Sequence, residues 1–359
     1  MSIPALALAR TVFLVGLTAV AGCTLQPPRP AAAPTQKVGI VFAVGGRGDL
    51  ASNDMAHAGL SRARREFGAL LDTQEVEPAP GGENREDLLR AMAREGFDLV
   101  FGIGDPATDA LRRVAAEFPG IWFGLVDGVI VGLRPKDNIV CLPFREEEGS
   151  FLAGAAAAAK SRTGIIGFLG GAKTPMAAAS EVAYIAGARY VRPGTIILSD
   201  YVGTEAVAFN NPARGRQLAL ALYERGADVI YHVARHSGDG VFEAAVVKRR
   251  MAIGSGADQA LSVKDDQRSR ILTSVVKRVD VAVYETIKAL VEGSLSGGCR
   301  SFGLAEGGVI YAENDFNKTV LADIKPMLED LRAGIIRGRI NVPRTRAELD
   351  ALLRARRRQ

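Results

Sequence analysis

The stretch Val38-Gly39-Ile40-Val41-Phe42-Ala43-Val44-Gly45-Gly46 decides the fold. An unbroken apolar run with no in-out alternation describes a strand covered on both faces, as in a parallel sheet between two helix layers. Gly45-Gly46 then turns the chain out of the sheet. A helix follows, with Asn53 expected as its N-cap and Ala56, Leu60, Ala63 and Phe67 spaced i, i+4, i+7 and i+11 along one face.

Outward from this unit the same alternation recurs. A helix around Arg85 to Arg94, a strand from Asp98 to Gly104, a helix from Pro106 to Phe118 and a strand from Ile121 to Val126 form a βαβ series. A strand at Ile139 to Leu142 leads through Glu146-Glu147-Glu148-Gly149-Ser150 into an alanine-rich helix, Phe151 to Lys160, whose carboxylates suit a helix start. A second series opens there. Its strands are Gly164 to Leu169, Thr195 to Val202, Asp228 to Val233 and Met251 to Gly254. Its helices are Pro175 to Tyr190, Pro212 to Gly226 and Gly240 to Lys248, with Asn211-Pro212 as a helix start.

A strand at Ile271 to Val276, a helix at Asp280 to Glu292 and short strands at Ser301 to Leu304 and Gly308 to Ala312 are too few for a third domain. The expected fold is therefore α/β: two Rossmann-like lobes with parallel sheets joined by a multi-strand hinge. Residues 37–141 plus 273–300 make lobe 1, residues 142–272 plus 301–345 make lobe 2, and 346–359 form a basic C-terminal tail.

The N-terminus sets the compartment. Thr11 to Ala21 is apolar, follows Arg10 and ends in Val20-Ala21-Gly22-Cys23; it is too short for a permanent membrane span. Small residues before a cysteine let the chain lie extended in a signal peptidase, and the thiol can then take diacylglycerol. This resembles the bacterial lipoprotein signal, with residues 1–22 as signal peptide and Cys23 as the lipidated residue; the alternative is an ordinary secretory signal with an incidental cysteine. Residues 23–36, rich in proline and alanine, read as a tether.

From Lys37 onward no other uncharged hydrophobic stretch is long enough to span a bilayer, so a soluble body is expected, a monomer that meets the membrane only through its lipid. The net charge of +5 gathers toward Arg354-Ala355-Arg356-Arg357-Arg358 and has no aromatic-interleaved basic stripe, so no nucleic-acid partner is expected. Cys141 and Cys299 could pair in an exported protein, but their spacing does not show that they meet.

Ligands of open parallel sheets lie beyond the carboxyl ends of the strands. Those ends offer Gly45, Asp105, Asp127, Arg235 and Gly256. Asp127 closes the apolar strand Ile121 to Val126, where a carboxylate needs donors; a ribose diol or a base N–H would supply them, and a turn acid at a strand exit is the equal alternative. Lys277 follows strand Ile271 to Val276 with the same logic and opposite charge, against the reading of a surface lysine.

Catalysis is not expected. His57, His232 and His236 have no metal-ligand spacing, and Cys141 and Cys299 have no neighbouring base. Gly45-Gly46-Arg47-Gly48 and Gly102-Ile103-Gly104 complete neither a dinucleotide fingerprint nor a phosphate loop. Neither cofactor nor metal is implied.

Several strings, in order along the body, resemble the basic membrane protein family, the nucleoside-binding lipoproteins of ABC importers. They are Val44-Gly45-Gly46 with Asp49 and Asn53, the run Glu146 to Gly154, Gly164 to Gly171, Phe209 to Gly215, Gly238 to Ala245, and Thr273 to Tyr284. The resemblance implies a type I periplasmic-binding-protein fold, a permease and ATPase as partners, and a purine-nucleoside-like solute held between the lobes. Asp127 and Lys277 match ligand-contacting positions, and Asp49, Asn53 and Gly238 fall in the matching strings. Nucleoside binders of the family carry an acid, an aromatic and an acid where this chain has Ala43, Ser52 and Gly256, which leaves a non-nucleoside solute as the alternative. Arg235 and His236 stand in a stretch that is usually small; they would favour a more anionic ligand or fill a narrower cleft. A lipoprotein sensor of the same fold is the other role open to the chain.

Overall fold

The computed structural model describes residues 35–356. The expected signal peptide, Cys23 and all but the last residues of the tether lie outside them.

In chain order the first series is β1 (Gln36–Val41), α1 (Ser52–Phe67), β2 (Leu71–Val76), α2 (Arg85–Arg94), β3 (Leu99–Ile103), α3 (Thr108–Glu117), β4 (Trp122–Val126) and β5 (Ile139–Leu142). The second is α4 (Glu146–Lys160), β6 (Ile165–Ala172), α5 (Pro175–Val191), β7 (Ile196–Gly203), α6 (Pro212–Glu224), β8 (Val229–Val233), α7 (Asp239–Lys248), β9 (Met251–Gly256), α8 (Asp265–Arg268) and β10 (Ile271–Lys277). The chain closes with α9 (Val279–Val291), β11 (Gly298–Cys299), β12 (Val309–Tyr311), α10 (Lys318–Leu321), α11 (Lys325–Ile336) and α12 (Arg346–Arg356).

Two sheets result. The first runs β11-β5-β4-β3-β1-β2 and is parallel throughout. The second runs β12-β10-β9-β8-β6-β7, parallel except that β12 is antiparallel to β10. Apolar side chains leave both faces of each sheet, so each is sandwiched. In the first, Ile40, Phe101 and Leu142 pack toward α1 and α9, while Val41, Val100 and Phe123 pack toward α2 and α3. In the second, Phe168, Tyr231 and Val275 face α4, α5 and α11, and Leu169, Ile230 and Ala252 face α6 and α7. The expected pair of parallel α/β lobes is borne out.

The structure departs from the expected one at four places. Helix α1 starts at Ser52 with Ala51 in the cap position, so Asn53 lies inside the helix; its side chain is used elsewhere, as shown below. Residues 273–277 do not return to lobe 1: β10 is a buried strand between β9 and β12 of the second sheet, and the chain does not return to lobe 1 until Arg278. Ser301 to Leu304 is not a strand; Phe302 makes a single bridge to Phe144 and drops its ring into the first core. The C-terminal segment is no loose tail through residue 356, because Leu349 is buried with Leu352 and Leu353 packed on the core beside α5, and Arg346 pairs with Glu181 at 2.8 Å. Leucines at helical spacing under the arginines account for that docking.

The hinge is built from backbone pairs. Arg300 N–H donates to Cys141 C=O at 2.8 Å, Phe302 N–H to Pro143 C=O at 2.8 Å, and Arg145 N–H to Phe302 C=O at 2.9 Å, so the segments after β5 and β11 cross side by side. A further crossing enters α9, where Arg278 N–H donates to Gly308 C=O at 2.8 Å. Arg145 ties them with bonds of 2.6 Å to both Glu148 and Glu306.

Candidate ligand site at the strand ends

The carboxyl ends of β4 and β10 bring Asp127 and Lys277 together. Lys277 Nζ donates to Asp127 Oδ2 at 2.6 Å and lies 3.3 Å from Glu146 Oε1. Asp127 follows a strand of the first sheet and Lys277 ends one of the second, so the ion pair joins the two lobes. Asp127 holds a left-handed backbone, φ 59°, which costs energy outside glycine and is kept where surrounding contacts demand it. Its N–H is spent on Leu142 C=O at 3.1 Å, which fixes the carboxylate at the strand exit.

Exposure is low at the three side chains: 14% for Lys277, 21% for Asp127 and 12% for Glu146. Burial alone would lower the Lys277 pKa, but Asp127 and Glu146 outweigh it and hold the ammonium above its ordinary value. Burial raises the Glu146 carboxyl, the pull of Lys277 opposing and the charge of Asp127 adding to it. The group is thus a cation between two acids, one of them held above its ordinary carboxyl pKa by burial.

The other expected residues divide. Asp105 starts a short helical turn after β3, and Gly104 N–H bonds Val126 C=O at 2.8 Å, which sets Asp105 beside the end of β4. Gly45 and Gly256 have positive φ and open space where a side chain would stand. Arg235, also left-handed at φ 48°, carries its guanidinium 5.6 Å from the Phe209 ring and acts on the charge of Lys277.

Asn53 and Asp49 serve the loop instead. Asn53 accepts from Ala43 N–H at 2.9 Å and donates to Gly46 C=O at 2.8 Å, and Asp49 accepts from the N–H groups of Ala51, Asn53 and Asp54. Both hold the β1–α1 turn from below. Gly238 is buried against the His232 ring, where a side chain would collide, so it packs α7 rather than opening a surface.

Glu146 is the residue that sequence reasoning missed. The three glutamates explain a helix start without any ligand, yet only the first meets Lys277. Its signal is position, a carboxylate four residues beyond a fully buried strand.

Among the described residues, no group of three or more His, Cys, Asp and Glu could hold a metal. A cavity of about 300 Å³ lies elsewhere, between β5, β11 and α9, lined by Val140, Leu142, Thr286 and Leu295.

The family model described as ABC transporter substrate-binding protein PnrA-like, Bmp, matches residues 36–346. The chain belongs to the Bmp family. A lipoprotein of Pyrococcus horikoshii is 34% identical over 84% of this chain and 76% of its own length. The ABC transporter nucleoside-binding protein BmpA of Lactococcus lactis is 31% identical, covering 70% of this chain and 72% of that protein. A crystal structure of an ABC transporter solute-binding protein from Aeropyrum pernix superposes with a TM-score of 0.68 at 28% identity, over 89% of this chain and 98% of that one. Like its family, this Bmp protein is a solute-binding component of an ABC transporter with a type I periplasmic-binding-protein fold, and a ligand and a permease/ATPase complex are its partners by role.

Proposed function

We propose that this Bmp protein captures a nucleoside-like polar solute in the crevice between its lobes, at Asp127 and Lys277, as a monomer anchored through Cys23 and facing the periplasm or the exterior. The observation that carries the reading is the interlobe ion pair, Lys277 to Asp127 at 2.6 Å. Burying opposite charges at the ends of two strands from different sheets is costly unless each has partners. A solute that brings its own donors and acceptors to that point gives both charges partners and draws the strand ends together.

The chemistry follows from the donor set. Lys277 occupies Asp127 Oδ2, which leaves Oδ1 to accept from a sugar diol or a base N–H. An incoming donor can replace the lysine bond, because Glu146 stands ready to take the ammonium. The relative named as a nucleoside-binding protein supports the solute class, and the relative named as a lipoprotein supports the anchor. No catalytic step is needed: closure about the hinge segments buries the solute, and the closed form is what a permease would read.

A non-nucleoside solute is favoured by one local feature. Ala43, Ser52 and Gly256 offer neither acid nor aromatic ring where a base would be gripped and stacked. Mass spectrometry of solute carried through purification, followed by a thermal-shift panel of nucleosides, bases and sugars, separates the outcomes. A nucleoside raising the melting midpoint supports the proposal; silence across the panel contradicts it.

A further inference from the structure

Two side chains outside the solute site form a second constellation. Cys141 and Cys299 stand opposite each other in the register of β5 and β11. Residues in register on neighbouring parallel strands leave the sheet on the same face. Both thiols meet Ile130: its N–H donates to Cys141 Sγ at 3.3 Å, and Cys299 Sγ donates to its carbonyl at 3.7 Å. Adjacent strands run about 4.8 Å apart, inside the Cα separation of about 4.4–6.8 Å that a disulfide spans. Cys141 is buried and Cys299 exposed, so one thiol is open to an oxidant and the other lies behind it. The location is mechanical: β11 is two residues long at the sheet edge, and the segments after β5 and β11 are the ones that cross to the second lobe.

We infer that Cys141 and Cys299 form a reversible disulfide that staples β5 to β11 where the paired hinge segments leave the first lobe. The inference rests on the reading that the chain is exported, since oxidants for thiols prevail outside the cytoplasm. The Cys299 thiolate attacks the disulfide of oxidised glutathione or of a thiol-oxidising protein, which breaks that bond, releases one thiol and leaves a mixed disulfide. Cys141 gives its proton to solvent and displaces the second thiol. The two cysteines lose two electrons and two protons, and the oxidant is reduced to two thiols. Burial pushes the Cys141 thiol up to about 12, so the second step is the slow one and quickens as pH rises. Neighbours in parallel register hold their Cβ atoms farther apart than the roughly 3.8 Å of a relaxed disulfide, which keeps the bond reducible.

Non-reducing peptide mapping tests this on the full chain purified from membranes, with free thiols alkylated before digestion. The expected result is a Cys141–Cys299 cross-linked peptide that dithiothreitol removes and oxidised glutathione restores, with glutathione on Cys299 accumulating first at pH 7 and passing more quickly at pH 9. Oxidation should raise the melting midpoint by at least about 3 °C and slow amide exchange over residues 297–300. Cys299→Ser should abolish both changes. Two alkylatable thiols after exposure to oxidised glutathione, or a Cys299 that stops at the glutathione adduct, would overturn the inference. A cross-link that forms in the tube but is absent from freshly isolated membranes supports the pairing and counts against export.

Discussion

Lys277 is pinned between Asp127 at 2.6 Å and Glu146 at 3.3 Å, and removing it would leave two carboxylates facing each other at low exposure. Lys277→Met should therefore cost about 3–5 kcal/mol, the usual penalty for stripping one partner from a buried pair. The loss should shrink between pH 8 and pH 5, because the raised Glu146 carboxyl takes up a proton and relieves the repulsion. Chemical denaturation at the two pH values checks both. His232 gives a second pH signature. It is fully buried with neither ring nitrogen hydrogen-bonded, and burial pushes its pKa down to about 4 despite the nearby Gln259. The unfolded chain binds a proton below about 6.5 and the folded chain does not. Stability is thus held above pH 6.5 and falls as pH drops toward 4, by roughly 3 kcal/mol. His232→Leu should flatten that slope and cost little at pH 7.5, where an apolar side chain replaces an unpaired polar one. Asp127 and Lys277 are legible because each ends an apolar strand with a charge. Glu146 is harder to pick out, because it is one of three adjacent acids that are all little exposed, and its distance from the end of β5 is the one sequence feature that sets it apart.

Helices α4 and α5 pack backbone to backbone. A methyl group on Gly187 would run into the carbonyl oxygen of Phe151, and one on Gly154 into that of Tyr184. Gly187→Ala should therefore push the helices apart and lower stability by about 1–3 kcal/mol, read as a shifted denaturation midpoint. Elements with one apolar pattern are easy to read: Arg85–Arg94 and Ile139–Leu142 stand where their periodicity and apolar run put them. Strand β2, Leu71-Asp72-Thr73-Gln74-Glu75-Val76, is not legible, because an edge strand carries polar side chains that look like a loop. Helix α12 passes for a tail for the opposite reason: its arginines are conspicuous, while the leucines that dock it are few.

At the scale of the molecule, two doubly wound sheets exchange chain at the hinge, and their strand ends meet at one ion pair. The alternation of apolar runs and amphipathic helices is enough to specify two lobes, since each run needs a helix layer on both of its faces. The crossing points are harder to place, since a buried strand such as β10 has the same composition in either sheet, and only its pairing with β9 and β12 tells which lobe owns it. If Asp127 and Lys277 face one solute-binding crevice, calorimetric titration of the solute recovered by mass spectrometry should find one site per wild-type chain, and at least about 100-fold weaker binding in an Asp127→Ala variant whose melting curve stays cooperative. Unchanged affinity in Asp127→Ala would place the solute elsewhere.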